Sequence, residues 1–253
     1  MILEIKNLKK SFGGVNAVNN CSFQIEEGQI TALLGPNGSG KTSIFNIISG
    51  IVNVDYGKVL FNSADITNRN PEDISNLGIS RLFQKARLFE NLSVEDNLLI
   101  SIHSEDMQFF KSLFTPNKVF LEEEKKINKI LRLLQIEDLK EKFAADLSYG
   151  QQRLVEITRT FLNPHSLVLL DEPAAGVNPK IRNKFAKFLL EMKNQKDTIL
   201  LIEHDMKFTF SIADRVIVLH EGRVIADGLP EEIKKNQFVQ KVYLGEKFFS
   251  SSS

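Results

Sequence analysis

Residues 35–42 have the pattern G-x-x-x-x-G-K-[ST], a spacing that can wrap backbone N–H groups around a phosphate. An apolar run, residues 30–34, precedes this phosphate loop, and a helical pattern follows it. Glycines let the backbone approach an anion closely, and the following helix directs its positive end at that anion. We therefore predict a nucleoside triphosphate site formed by Gly35, Asn37, Gly38, Ser39, Gly40, Lys41, Thr42 and Ser43.

Two side chains give this loop chemistry beyond that of a turn. Lys41 can reach the β- and γ-phosphates as a point charge, and the Thr42 hydroxyl can bind Mg²⁺. The alternative is a glycine-rich turn that binds nothing. Because both glycines, the lysine and the threonine occupy their motif positions, the sequence favours the phosphate site.

Two adjacent carboxylates, Asp171 and Glu172, end the apolar run 167–170. Taken alone, such a pair more often marks the start of a solvated loop. A buried strand that ends this way in a chain with a phosphate loop indicates a cation or a water molecule at the strand tip. We therefore predict that Asp171 holds Mg²⁺ and that Glu172 polarises the attacking water.

A third candidate is the signature segment, residues 147–151, with the sequence LSYGQ. It directly precedes a helical pattern, and two interpretations stay open. Ser148 can simply cap that helix. Alternatively, Ser148, the Gly150 amide and the helix N-terminus form a second anion site.

Composition narrows the class of protein. The chain has 253 residues, 42% of them hydrophobic, with 32 basic and 32 acidic side chains. This balance gives no global field for nucleic acid, and we expect no nucleic acid partner. The only cysteine, Cys21, fits a reducing compartment. No apolar run approaches the roughly 18–20 residues of a membrane span, so we expect a soluble, cytoplasmic chain that needs a membrane partner to work at a bilayer.

The elements that must position these residues follow from hydrophobic periodicity. Strand patterns occupy the first 30 residues and recur at residues 58–61, 79–83, 167–170, 198–202 and 215–219. Between about residues 93 and 161 the apolar period is helical, as in Ile127, Ile130, Leu131 and Leu134. Nearly continuous apolar strands that alternate with helices predict an α/β sheet covered on both faces. We expect a core of residues 1–92 and 163–253 with an inserted helical lobe, residues 93–162.

The order and spacing of the phosphate loop, Gln84, LSYGQ, LLDE and His204 resemble those of ATP-binding cassette (ABC) ATPases over almost the whole chain. The resemblance implies one nucleotide-binding domain, an α/β P-loop core with an antiparallel β subdomain and a helical lobe. It also implies ATP and Mg²⁺ as cofactors. In this family the signature completes the site of a second subunit, so a homodimer or a heterodimer with a relative is expected.

The resemblance assigns further roles by position. Phe12 matches the aromatic residue that stacks on adenine, although a core phenylalanine is an equal alternative. Gln84 matches the glutamine that reaches Mg²⁺ and water and senses the membrane partner. His204 matches the switch histidine that contacts the γ-phosphate and Glu172. Ser148, Gly150 and Gln151 match the signature, in which Tyr149 replaces a glycine, and Asn178 replaces an aspartate that many relatives carry.

A finer resemblance is to the LivG-type ATP-binding subunit of branched-chain amino acid importers. It rests on residues 12–20, 83–89, 148–153, 171–179, 203–207 and 242–246. This group places its ATPase on the cytoplasmic face of the membrane, bound to multispanning permease subunits. The alternatives are the ATPase of a urea or amide importer, of a lipopolysaccharide-type exporter, and a soluble assembly ATPase. The extra segment 101–120 is either a partner-facing patch or local packing.

Overall fold

A computed structural model describes residues 1–82, 88–102 and 118–244. The predicted site residue Gln84 and most of the segment 101–120 lie outside these described residues.

The strands are β1 (Leu3–Phe12), β2 (Val15–Ile25), β3 (Ile30–Leu34), β4 (Tyr56–Phe61), β5 (Ala64–Asp65), β6 (Ile79–Leu82), β7 (Leu167–Asp171), β8 (Thr198–Ile202), β9 (Arg215–His220) and β10 (Arg223–Gly228). The α-helices are α1 (Lys41–Ile48), α2 (Pro71–Asn76), α3 (Val94–Ile102), α4 (Lys118–Leu134), α5 (Tyr149–Leu162), α6 (Pro179–Asn194), α7 (Met206–Ile212), α8 (Pro230–Lys235) and α9 (Gln237–Leu244). Short 3₁₀ helices span Glu137–Leu139 and Ala144–Asp146. Among these described elements, no helix has the length and apolar character needed to cross a membrane.

The strands form two sheets. The antiparallel sheet has the order β2-β1-β4-β5, and the larger sheet has the order β10-β9-β3-β8-β7-β6. In the larger sheet β9, β3, β8, β7 and β6 run parallel, while β10 pairs antiparallel with β9. The predicted α/β class with an antiparallel subdomain is therefore confirmed.

Parallel order decides where the candidate residues meet. Strand β3 lies beside β8, and β8 lies beside β7. Because parallel strands end at the same edge, the loops after these three strands are neighbours, and such edges are where open α/β sheets bind ligands. The phosphate loop follows β3, Glu172 follows β7, and His204 follows β8.

Strand β8 shows how the larger sheet is covered. All five of its residues are buried. Ile199 and Leu201 pack in a core with α3, α4, α5 and α6, whereas Leu200 and Ile202 pack in a second core with α1 and the antiparallel sheet. Successive side chains of a strand point to opposite faces, so both faces of β8 are apolar.

The chain between β6 and β7 is helical in its described part, as the periodicity predicts. The expected apolar face of α4, namely Ile127, Ile130, Leu131 and Leu134, is buried. On α5 the residues Leu154, Ile157, Thr158 and Phe161 are buried as well. The apolar residues among these share one core with β7 and β8. The division into a core and a lobe at residues 93 and 162 stays a prediction.

Candidate active site

The phosphate loop turns sharply between β3 and α1, and two of its glycines are required for that path. Gly35 has φ +153° and Gly40 has φ +100°. A Cβ atom at Gly35 would lie 2.3 Å from the Leu219 carbonyl oxygen, and one at Gly40 would lie 2.3 Å from the Ala17 carbonyl oxygen. Only glycine fits these positions, where the loop backbone packs directly against the Leu219 and Ala17 carbonyl groups.

Lys41, the first residue of α1, is buried beneath the loop. Its Nζ donates hydrogen bonds to the carbonyl oxygens of Gly35 at 2.7 Å and Pro36 at 3.0 Å. Burial lowers the pKa of the ammonium group, and the nearby carboxylates of Glu172 and Asp171 act in the opposite direction. A desolvated cation at a helix N-terminus suits an anionic ligand such as a phosphate.

A cleft of about 240 Å³ opens above the loop. Its walls combine the loop with residues that are remote in sequence. They are Ala17, Asn37, Gly38, Ser39, Gly40, Lys41, Thr42, Ser43, Glu172 and His204. The structure thus brings most of the predicted phosphate-binding residues together with two predicted catalytic residues.

Glu172 and His204 contact each other across the ends of β7 and β8. The Glu172 Oε1 atom lies 2.6 Å from the His204 Nε2 atom. Glu172 has φ +47°, a left-handed conformation that costs about 1–3 kcal/mol for a non-glycine residue and is often found at functional sites. Its N–H donates to the Ile202 carbonyl oxygen at 2.9 Å, which fixes the turn against β8.

Asp171, the last residue of β7, fits the predicted cation site. Its side chain is 1% exposed, and neither carboxylate oxygen has a hydrogen-bond partner among the described residues. The Arg81 Nη2 atom lies 3.6 Å from Asp171 Oδ2. Burial raises the pKa of this carboxyl group and the Arg81 charge opposes that effect. Buried carboxylate oxygens that receive no hydrogen bond suit a hard cation such as Mg²⁺, and the Thr42 hydroxyl lies in the adjacent cleft.

Phe12 lies at the end of β1, outside the residues that line the cleft. The residue is 46% exposed, and the Lys10 Nζ atom lies 5.3 Å from its ring centroid. The alternative of a core phenylalanine is therefore wrong. Contact with adenine stays a prediction for this ring.

The signature segment is a helix cap in this chain. The Ser148 Oγ atom accepts from the Gln151 N–H at 3.4 Å, and the Gln151 Oε1 atom accepts from the Ser148 N–H at 2.9 Å. This reciprocal pair is a capping box at the start of α5. The capped-helix interpretation is confirmed, and the anion role of Ser148, Gly150 and Gln151 stays a prediction. None of the three lines the phosphate-loop cleft of the same chain.

The start of α6 accounts for two residue types near this segment, the glycine at Gly150 and the asparagine at Asn178. A Cβ atom at Gly150 would lie 2.5 Å from the Ile181 Cδ1 atom, so glycine permits close packing of α6. Asn178 caps α6, since its Oδ1 atom accepts from the Ile181 N–H at 2.9 Å. Asparagine and aspartate can both make this hydrogen bond, so the departure at Asn178 keeps the cap without the charge.

Two buried residues that the sequence did not single out hold residues 171–174, which we call the carboxylate turn. Arg153, on α5, donates from Nη2 to the carbonyl oxygens of Asp171 at 3.4 Å and Glu172 at 3.5 Å, and from Nε to that of Pro173 at 3.4 Å. Glu203 accepts from the Ala174 N–H at 2.8 Å. Glu203 carries the same signal as Asp171, a carboxylate at the end of an apolar strand, whereas only the fold reveals Arg153.

Comparison with known proteins identifies the family. The ABC transporter family matches residues 18–175, more than half of the chain. The branched-chain amino acid ATP-binding cassette transporter family matches residues 223–248.

Individual relatives agree with these matches. A probable branched-chain amino acid transport ATP-binding protein LivG of Archaeoglobus fulgidus is 38% identical, over 96% of this chain and 95% of its own. The high-affinity branched-chain amino acid transport ATP-binding protein BraF of Pseudomonas aeruginosa is 36% identical, over 97% of this chain and 98% of its own. The crystal structure of MJ1267 in its ADP conformation, an ATP-binding cassette of an ABC transporter, superposes with a TM-score of 0.83 at 35% identity, over 97% of this chain and 99% of its own. The chain therefore belongs to the ABC transporter family and is an ATP-binding subunit of the LivG type.

Proposed function

We propose that this ATPase powers the import of branched-chain amino acids through separate membrane-spanning subunits, at the cytoplasmic face of the membrane. Two findings support this solute class. The relatives named for branched-chain amino acid transport match nearly the whole chain, and the family match at residues 223–248 carries the same description.

The observation that carries the catalytic proposal is the contact of 2.6 Å between Glu172 and His204 beside the phosphate loop. Glu172 orients the attacking water and accepts its proton, as a general base at hydrogen-bond distance can. His204 holds the Glu172 carboxylate and contacts the γ-phosphate. Lys41 neutralises charge on the β- and γ-phosphates.

Thr42 and Asp171 are the described residues that we assign to Mg²⁺, together with Gln84 outside the described ranges. Bound Mg²⁺ would neutralise charge on the phosphate oxygens. The buried Asp171 oxygens supply a hard acceptor at the strand end, and the Thr42 hydroxyl supplies a second oxygen. Phe12 lies at the exposed end of β1, and we assign it the role of stacking on the adenine ring.

A second ABC subunit completes the site in this proposal. Ser148, Gly150 and Gln151 lie at the N-terminus of α5 and do not line their own chain's cleft. A helix N-terminus attracts anions, so an ATP held by the phosphate loop of one subunit would be clamped by the signature segment of the other. Binding draws the two subunits together, and hydrolysis with phosphate release lets them separate. We assign transmission of this change to the membrane subunits to the region of Gln84, which lies outside the described ranges.

The solute is tested by expressing the chain with its membrane-spanning and solute-binding subunits and placing the complex in lipid vesicles. We expect ATP-dependent uptake of labelled leucine and stimulation of ATP hydrolysis by the leucine-loaded binding subunit. Uptake of urea or short amides without uptake of leucine would contradict the solute assignment and leave the ATPase assignment intact.

A further inference from the structure

We propose that Glu203 is a positioning residue that holds Glu172 and His204 in their hydrogen-bonded arrangement. The inference rests on the proposed roles of those two residues. In this role Glu203 contacts neither ATP nor the attacking water. It acts through hydrogen bonds to backbone N–H groups.

One carboxylate ties together the two loops that carry the catalytic residues. The Glu203 Oε1 atom accepts from the Ala174 N–H at 2.8 Å, two residues beyond Glu172. The Oε2 atom accepts from the His204 N–H at 3.3 Å. Because both oxygens belong to one planar group, the loop after β7 and the loop after β8 keep a set separation.

The environment of Glu203 makes a charged carboxylate unfavourable for stability at this position. The residue is 4% exposed, and burial raises the pKa of its carboxyl group, opposed first by the Ala174 N–H bond. Among the described residues, no cation forms a salt bridge with it. Burying a carboxylate that lacks a paired cation costs stability, and such groups cluster at functional sites.

The backbone that Glu203 holds is the part of the site under strain. Glu172 has φ +47°, and its N–H is held by the Ile202 carbonyl oxygen at 2.9 Å. Glu203 adds a second attachment on the other side of Glu172, at Ala174. A shift of about 1 Å in a catalytic group can lower a rate by about 100-fold, so loss of this attachment affects turnover more than ATP binding.

The same sheet contains a matched control. Asp214 precedes β9, and its Oδ2 atom accepts from the Ile30 N–H at 3.0 Å while its Oδ1 atom accepts from the Lys193 Nζ at 3.0 Å. It therefore also joins two elements through one carboxylate. Because Ile30 begins β3, Asp214 lies at the opposite edge of the sheet from Glu172 and His204.

The test compares Glu203→Gln with Asp214→Asn in the full chain, using phosphate release from Mg-ATP and the imidazole N–H resonances of His204. The chain has four histidines, so the His204 resonances can be assigned by their loss in His204→Gln. We expect Glu203→Gln to lower kcat by about 10- to 100-fold, to leave KM for ATP within about twofold, and to shift the His204 resonances. Asp214→Asn should change neither kcat nor those resonances.

A kcat within twofold of wild type, unchanged His204 resonances, or an equal loss of kcat in Asp214→Asn would overturn the inference. Should Glu203→Gln not fold, Glu203→Asp replaces it, since it keeps the charge but is too short to reach both N–H groups. Wild-type turnover in Glu203→Asp would also overturn the inference. Wild-type turnover in Glu172→Gln would contradict the proposed role of Glu172 as the base, whereas a Glu172→Gln with strongly reduced turnover beside a fully active Glu203→Gln would contradict only the role of Glu203.

Discussion

The Arg153 Nη2 atom lies 3.5 Å from the Glu172 carbonyl oxygen. Arg153 belongs to α5, the helix that the signature segment caps, whereas Glu172 belongs to the proposed water-activating pair. The Arg153 side chain is 7% exposed and also pairs with Glu156 at 2.9 Å. A single guanidinium therefore connects α5, whose capping segment we propose to face a second subunit, with the carboxylate turn of the same chain.

Replacing Glu172 by glutamine tests the assignment of the general base. An amide cannot accept the proton of the attacking water, so we expect kcat to fall by about 10²- to 10⁴-fold. ATP affinity should change little, because Lys41 and the loop N–H groups remain. ATP should then hold the chain in a long-lived dimer, measured by light scattering on a sizing column. Wild-type phosphate release from this variant would rule out Glu172 as the base.

Replacing Arg153 by lysine tests the connection between α5 and the carboxylate turn. Lysine lacks the planar set of donors that reaches three carbonyl oxygens at once. We expect kcat to fall about tenfold with little change in ATP affinity, because the phosphate loop is untouched.

Arg215→Lys is the control for Arg153→Lys. Arg215 makes two hydrogen bonds of 2.7 Å with Asp227, between β9 and β10. It should lower thermal stability without lowering kcat. Equal kcat values for Arg153→Lys and wild type would show that the contacts at 3.4–3.5 Å do not affect catalysis.

Replacing Ser148 by alanine separates the cap from the anion role of the signature. Loss of an N-cap costs about 1 kcal/mol of unfolding free energy. Asn70→Ala should have a similar effect, because Asn70 caps α2 and accepts from the Asp73 N–H at 2.8 Å. Only Ser148→Ala should also weaken ATP-driven dimerisation, measured by analytical ultracentrifugation in the Glu172→Gln background. Equal dimerisation of the two variants would leave Ser148 with the cap alone.

The buried thiol of Cys21 leads us to predict that the stability of the protein depends on pH. Burial raises the pKa of its thiol to about 12, whereas the thiol of the unfolded chain ionises near pH 8.5. Between these values the unfolded state loses its proton and the folded state keeps it. Stability is therefore lost as the pH rises above about 9, by at most about 1.4 kcal/mol per pH unit.

Urea unfolding of wild type and Cys21→Ala at pH 8, 9.5 and 10.5 measures this effect. Other groups titrate alike in both proteins, so the difference between the two unfolding free energies isolates Cys21. We expect the unfolding free energy of Cys21→Ala to increase relative to that of wild type with each step in pH. A constant difference would mean that the thiol ionises equally in both states.

Local pattern was enough to predict several features of this chain. Gly35, Gly38 and Gly40 have positive φ, a property of the local backbone, and Ser148 lies three residues before its capping partner Gln151. Apolar period correctly predicted the buried faces of α4 and α5, because burial of one helix face depends on spacing along the chain. The position of Asp171 and Glu172 at the end of a strand was predicted from the apolar run 167–170.

Only the tertiary structure decided which of these residues meet. Glu172 and His204 are 32 residues apart, and their contact of 2.6 Å exists because β7 and β8 are parallel neighbours. The left-handed Glu172 backbone and the hydrogen bonds that Arg153 and Glu203 make to the carboxylate turn depend on three elements that are distant in sequence. The sequence determined the local geometry of the phosphate loop and the caps, since those depend on adjacent residues. Strand order determined the site, because it sets which loop ends lie within hydrogen-bond distance.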